Sequence, residues 1–589
     1  MTSRPARTLV PLVLLVLAGC ATPPSATRDE APITDPSAQV VRSAGGAVAS
    51  ASVPATEVGA RVLAEGGNAV DAAVATAFAL AVTEPSMSGL GGRASTVIRT
   101  PEGEVFGIDG LNQVPRSYRP DTDLPSGYAR AAVPGVPAAL VRAQEEHGSW
   151  PLERVLEGAI RLAEEGFPLP ADEAARWAAA ADELAGYPAS RSTFLRPDGT
   201  PYEGGDHFRN PALAGTLRAI AEGGADAFYR GWVADSMHVD MERHGGFVTR
   251  DELAAYRALD AILVEGSYRG HRLVSNFRPS SGHSVIQALR TMEAVGAVPG
   301  ADDGAAWAAL VGQAMHWALE DRRRSFGSEE ESARRLTSAA HARARAAEIR
   351  TPWRGGAGGG GVGEVHRASR TDGRPDDGPG WRLAAGVPGL PADPDPGRVP
   401  VGVLVVAPGD RGATTAMATT DASGMTVAHT QSNGPSLGTR LVASGLGFVY
   451  ATRLGSEPGS RPSSTISPTL VFGPDGSLRV ALAGAGDSRI ITAVIQVVSR
   501  VVDHGMSLEE AVAAPRVHPT GPLELRLEEG PVGSWSEREV ARLEAWGFEL
   551  DTAPAGYYGR VHAVAPGQGG PALGVAEPRW TGSAAGPGG

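Results

Sequence analysis

Residues Gly412–Gly424 read GATTAMATTDASG: two adjacent threonines, then small and apolar residues, then an Asp-Ala-Ser-Gly turn. β-Propensity alone explains threonines in a strand. The position of the pair has a second reading, in which Thr414 becomes a chain end after the backbone is cut before it. A four-residue loop, Asp421 to Gly424, would set Thr420 opposite Met425, and counting back along that ladder sets Thr414 opposite Gln431 with Ser432 diagonal to it. A threonine at a free N-terminus carries an Oγ nucleophile beside an α-amine whose unperturbed pKa is about 8. Such a residue needs no histidine to take its proton.

The rest of the chain narrows the choice of chemistry. There are 589 residues, 42% of them hydrophobic, enough for large cores. The formal charge is −13, from 66 acidic against 53 basic residues, which argues against nucleic acid as a partner. Every basic residue other than histidine is arginine, so lysine nucleophiles, Schiff bases and P-loop lysines are excluded. The 13 histidines form no HExxH motif and no pair at ligand spacing, and no metal or other cofactor is implied. The set Gly356, Gly358, Gly361 fits a dinucleotide fingerprint but follows TPWR in low complexity, not a strand. GPSLG, with Ser436 between Gly434 and Gly438, lacks the helix that a nucleophile elbow requires.

Organisation follows from local signals. Arg4 and Arg7 precede LVPLVLLVLAG, the h-region of a signal peptide over 1–19, and Cys20, the single cysteine, ends it as in a bacterial lipobox. Lipidation of Cys20 would tie the protein to a membrane surface through a flexible tether, 20–43, on an exported protein. From Gly66 the stretch GGNAVDAAVATAFALAVTEP predicts a core helix capped by Asn68 and Asp71 and closed by Pro85. Helical patterns dominate to about residue 350. A Gly/Pro-rich mobile loop is expected over 353–400, after which strands take over, with a glycine turn at Gly486 and Asp487 opening a helix. Backbone N–H groups at such a turn suit a developing oxyanion.

These blocks together resemble the γ-glutamyltransferase family of N-terminal nucleophile hydrolases over roughly residues 44 to 585. The likeness is carried by the Gly66 stretch, SGLGG at Ser88, VPGVP at Val133, GGFVTRDELAAYRA at Gly245, YRGHRL at Tyr268, PSSG at Pro279, RPSSTISPT at Arg461, GDSRIITAVIQVV at Gly486 and APRVH at Ala514. The resemblance implies an α+β fold, the four-layer αββα sandwich. It also implies a proenzyme cut between Ala413 and Thr414 into a large region, 44–413, and a small catalytic one, 414–589, sharing one core. The implied activity moves a γ-glutamyl group from glutathione-like compounds to water or an amine through an acyl-threonine.

Carried over by position, the resemblance makes Thr414 the nucleophile and Ser432 its support. It makes Gly486 and Asp487 the oxyanion pair, and Ser464 and Thr465 the holders of the substrate carboxylate. Several positions depart from the family pattern. The carboxylate-binding arginine falls on Leu111, an acidic residue falls on Ser456 with Glu457 beside it, an asparagine falls on Gly434 with Asn433 beside it, and a histidine falls on Ala416. The second glycine of the oxyanion pair is Asp487. Arg93, Arg440 and Arg453 are candidates by position to replace the lost arginine. Two alternatives follow: an N-terminal-threonine acylase of other amides, resembling cephalosporin acylases, or an inactive lipoprotein homologue with a binding role.

Overall fold

The Thr-Thr stretch forms the strand Ala413–Asp421, paired antiparallel with Thr426–Gly434. The computed structural model describes residues 32–119, 127–296, 299–300, 303–354, 413–530 and 534–588. The register differs by one from the expected ladder: Thr420 faces Thr426, and Thr414 faces Ser432 directly, with Gln431 opposite Thr415. The loop is the cause. Gly424 N–H donates to Asp421 O at 3.1 Å, Gly424 takes φ +84°, and Asp421 N–H donates to Met425 O at 3.1 Å. A turn followed by a left-handed glycine adds one residue to the connection. The Asp421 carboxylate holds it by accepting from Ser423 N at 2.8 Å and Met425 N at 3.2 Å.

Both faces of the strand are buried. Ala416 and Ala418 pack with Ala481, Ala483 and Val564 of a facing sheet. On the other face Met417 joins a helical core, and Thr419 Oγ donates to Ala69 O at 2.7 Å. Alternation therefore turns Thr414 toward the facing sheet and Thr415 toward the helices.

The strand pair lies inside a seven-stranded sheet ordered Ser583–Ala585, Gly46–Ser50, Ala413–Asp421, Thr426–Gly434, Arg93–Arg99, Val105–Gly110, Leu259–Asp260. The facing sheet is ordered Val40–Ser43, Ala572–Val575, Arg560–Ala565, Leu478–Ala485, Thr469–Phe472, His271–Asn276, Leu263–Tyr268. An alanine-rich layer fills the space between them. Helices such as Val53–Ala64 and Ala69–Thr83 cover the first sheet, and Gly282–Val295 and Arg489–Asp503 cover the second. This is the expected four-layer αββα sandwich. The Ala69–Thr83 helix is buried at every residue and carries the Asn68–Asp71 capping box.

Two sequence expectations need correction. Seven of the fourteen strands in the two sheets come from before residue 300, where helical patterns are expected to dominate, so each sheet is built from both sides of the Ala413–Thr414 bond. The tether does not run to residue 43: Ile33 bridges Pro587, and Val40–Ser43 is an edge strand that sends Val41 into the layer between the sheets. The leader, Cys20 and residues 21–31 of the tether lie outside the described residues, as does the Gly/Pro-rich stretch beyond a short turn at Pro352–Arg354.

Candidate active site

Thr414 sits where the strand enters the sheet, 4% exposed, with its hydroxyl in the space between the sheets. Its Oγ donates to Ser432 Oγ at 3.1 Å, and Ser432 Oγ donates to the Ala413 carbonyl oxygen at 2.6 Å. Gly434 N–H also donates to Ser432 Oγ, at 3.0 Å. The three contacts fix one hydroxyl between the side chain of Thr414 and the carbonyl that precedes it. The one-residue register shift makes this possible, because it brings a hydroxyl rather than the Gln431 amide opposite Thr414. Gln431 instead turns to the helices, where it donates to Ala77 O at 3.0 Å and Ser88 Oγ at 2.9 Å.

Asn433 also faces the helices: its Nδ2 donates to Pro85 O at 3.1 Å, while its Oδ1 has no partner. The SGLGG motif packs beneath it. A Cβ on Gly92 would stand 2.7 Å from Ser432 O, and one on Gly91 would stand 2.2 Å from Val449 O, so backbone approach requires glycine at both places.

The Gly486–Asp487 turn reaches the same end of the sandwich from the facing sheet. Ala485 pairs with Arg560, whose Nη2 donates to the Thr414 carbonyl at 2.8 Å. Thr430 Oγ donates to Gly484 O at 3.3 Å, joining the sheets two residues before both Ser432 and Gly486. Asp487 takes φ +56°, a left-handed backbone, just ahead of the Arg489–Asp503 helix.

A charged cluster, which sequence reasoning missed, backs the threonine pair. Thr415 Oγ donates to Glu84 Oε2 at 2.6 Å. Burial raises the Glu84 carboxyl to about 7, against the pull of Arg560 and Arg176. Glu84 was visible in the sequence as the acidic residue before Pro85, and Arg560 carried no local signal. Arg322 was missed as well: it donates to Ser463 Oγ at 3.1 Å and Ser281 Oγ at 3.4 Å. Burial lowers its guanidinium to about 10, with Asp487 acting in the opposite direction.

Ser464 belongs to this second segment. Its N–H donates to Pro279 O at 2.7 Å and its carbonyl accepts from Ser281 Oγ at 2.6 Å, so RPSSTISPT lies against PSSG, and Thr465 is half-buried beside it. Ser456 and Glu457 are exposed, in a loop pinned where Gly459 N–H donates to Val114 O at 3.0 Å. Leu111 is fully buried, and its carbonyl accepts from Tyr256 Oη at 2.6 Å. Of the three candidate arginines, Arg440 pairs with Glu183, and Arg453 donates to Gly455 O at 2.6 Å while lying 3.8 Å over the Tyr118 ring. Arg93 stands in the row of Thr414 and Ser432, as Ser432's partner on the next strand.

The arrangement offers a buried pair of hydroxyls, Thr414 and Ser432, beside a polar turn whose Asp487 is exposed. Comparison with known proteins matches this chain to the model of the gamma-glutamyltranspeptidase family over residues 55–587. The glutathione hydrolase proenzyme of Escherichia coli (strain K12) is 29% identical over 579 residues, covering 92% of this chain and 91% of that protein. The acylase ACY 1 proenzyme of Pseudomonas sp. (strain SE83) is 29% identical over 523 residues, covering 83% and 85%. The crystal structure of cephalosporin acylase from Bacillus halodurans superposes with a TM-score of 0.76 at 26% identity, over 93% of this chain and 97% of that one. The family match begins in the first core helix and ends beyond the last strand of the sandwich, so it takes in both sheets and the threonine between them: the chain belongs to the gamma-glutamyltranspeptidase family and is an enzyme of that αββα fold.

Proposed function

We propose that the protein cuts itself between Ala413 and Thr414 and that the freed Thr414 transfers γ-glutamyl groups from glutathione-like compounds to water or an amine. The observation that carries this reading is the single Ser432 hydroxyl held between Thr414 Oγ and the Ala413 carbonyl. In self-cleavage Thr414 Oγ attacks the Ala413 carbonyl carbon. Its proton passes to Ser432 as Ser432 hands its own to the Ala413 oxygen. Collapse breaks the C–N bond, the amine leaves with a proton, and water opens the resulting ester to give a new carboxylate at Ala413 and a free α-amine at Thr414. That amine is then the base for attack on substrate, with Ser432 supporting Oγ and the Gly486 and Asp487 N–H groups facing the oxyanion. Ser464 and Thr465 receive the substrate carboxylate and Glu457 serves its polar end, whereas Asn433, expected to join it, is turned to the helices and donates to Pro85 O.

A second reading, an acylase of other amides, is favoured by Leu111, which is fully buried and cannot form a bidentate ion pair. Export and a lipid on Cys20 complete the proposal. Among the described residues no helix is long and apolar enough to cross a membrane. A denaturing gel tests the cleavage: two bands are expected, the smaller of 176 residues and beginning Thr-Thr-Ala-Met. Parallel assays on γ-glutamyl-p-nitroanilide and an uncharged acyl-p-nitroanilide separate the two activities. A folded, uncut and inactive protein would overturn both in favour of a binding role.

A further inference from the structure

Three residues line up across three neighbouring strands: Thr414 faces Ser432, and Ser432 faces Arg93. Residues directly opposite in a ladder share a face, so Arg93 extends into the same space between the sheets as the Thr414 hydroxyl. It is 1% exposed. Nη2 donates to Thr452 O at 2.9 Å, Nε has no hydrogen-bond partner, and Arg93 makes no ion pair with a carboxylate among the described residues. The one carboxylate whose charge acts on it is Asp487, which also acts on Arg322 across the site. A buried cation with no carboxylate in contact is costly to keep charged. A fold that keeps one beside a nucleophile has a use for an anion there.

The room for the guanidinium is also visible. A Cβ on Gly434 would stand 2.8 Å from Arg93 Nη2, so the absent side chain at Gly434 is what admits the guanidinium to this position. Gly434 faces Ala413, the last residue of the segment that leaves Thr414 on cleavage. Departure of Ala413 therefore uncovers the ground beside Gly434, next to Arg93 Nη2. The other two candidate arginines are already engaged, one by Glu183 and one by Gly455 and the Tyr118 ring.

We propose that Arg93 is the specificity-determining cation of the acyl site, binding the terminal carboxylate of an acyl donor in the place that Leu111 cannot serve. The proposal rests on Thr414 as the nucleophile. It assigns the substrate class: amides whose acyl chain ends in a carboxylate a few bonds from the scissile carbonyl, with or without an α-amine. Arg322, with Ser463 and Ser464, bounds the site on its other side.

The test compares glutaryl-, γ-glutamyl- and valeryl-p-nitroanilide on the cleaved wild-type enzyme and on Arg93→Gln, with Arg93→Lys as the charge-keeping variant. Loss of a charge-assisted pair is expected to raise KM for the two carboxylate substrates at least about tenfold more than for the valeryl one, with kcat less affected, and lysine should recover part of the loss. Both variants are checked for two bands on a denaturing gel. On the wild type alone, glutarate should inhibit competitively and glutaramide should not, a reading that stands if Arg93→Gln fails to fold. Glutarate no better than glutaramide, or a folded and cleaved Arg93→Gln with an unchanged substrate ratio, overturns the role of Arg93 alone. A wild type that cleaves none of the three anilides overturns the Thr414 reading and this one with it.

Discussion

Ser432 lies directly across the strand pair from Thr414, its hydroxyl 3.1 Å from Thr414 Oγ and 2.6 Å from the Ala413 carbonyl oxygen. On the proposed mechanism one side chain thus touches both the attacking group and the oxygen that gains charge when it attacks. Ser432→Ala removes both contacts and leaves a buried carbonyl without this donor. Loss of one positioned donor to a developing oxyanion costs about a hundredfold or more in rate, so self-cleavage of purified precursor should slow by about that factor in a gel time course. Ser432→Thr keeps the hydroxyl and should be cut at nearly the wild-type rate. An alanine variant cut as fast as wild type would remove Ser432 from the mechanism.

The neighbouring threonines should separate cleanly. Thr414→Ala lacks the proposed nucleophile and should remain one uncut band without activity. Thr415→Val keeps it, but strips the donor from a fully buried carboxyl, Glu84 Oε2 at 2.6 Å. An unsatisfied buried acceptor costs about 1–3 kcal/mol. Thr415→Val should therefore be cut between Ala413 and Thr414 yet melt several degrees lower, a difference that calorimetry reads directly.

Glu84 also makes stability depend on pH. Its carboxyl holds a proton up to about 7 in the fold but only to about 4.5 when free. Folding therefore takes up a proton between those values, and the stabilisation present below pH 4.5 is lost as pH rises through 7, by up to roughly 3 kcal/mol. Glu84→Gln has no proton to lose. Denaturant melts from pH 4.5 to 8 should show wild type falling relative to Glu84→Gln, and parallel curves would mean that Arg560 and Arg176 hold the group ionised throughout.

What the sequence revealed and what it hid divide along one line. Asn68, Asp71 and the all-buried helix after them were legible because capping and hydrophobicity are local. Thr414 was legible because alternation in TTAMATT marks a strand, and because the quoted blocks point to one family. The hairpin register was missed by one position because it turns on the left-handed backbone of Gly424 and on Asp421 folding back over its own loop. Arg560, Arg322 and the importance of Arg93 were hidden for a different reason. Each meets the site across a sheet or between sheets, from segments far apart in the chain, and no short pattern records which arginine ends beside which threonine. Leu111 shows the converse: its mismatch with the family was readable, but its burial in the core was not.

Asp487 provides the sharpest test of the site's electrostatics. It occupies a left-handed backbone, φ +56°, where glycine rests without strain, and its charge acts on both Arg93 and Arg322. Asp487→Gly relieves about 1 kcal/mol of backbone strain but returns a similar amount in chain entropy, so stability should change by less than about 1 kcal/mol. The rate should change more. A negative charge beside a developing oxyanion opposes it, and because Asp487 is exposed and screened by water the gain in kcat on removing it should be about three- to tenfold. Asp487→Asn removes the charge while keeping a residue that tolerates the left-handed backbone, and it separates charge from conformation. If both variants accelerate turnover of γ-glutamyl-p-nitroanilide and lower its KM, the carboxylate opposes the oxyanion and competes with substrate for the two arginines. If only glycine accelerates it, the turn geometry is what limits the rate. If neither does, the Asp487 side chain lies outside the path of the acyl group and the N–H groups of the turn act unopposed.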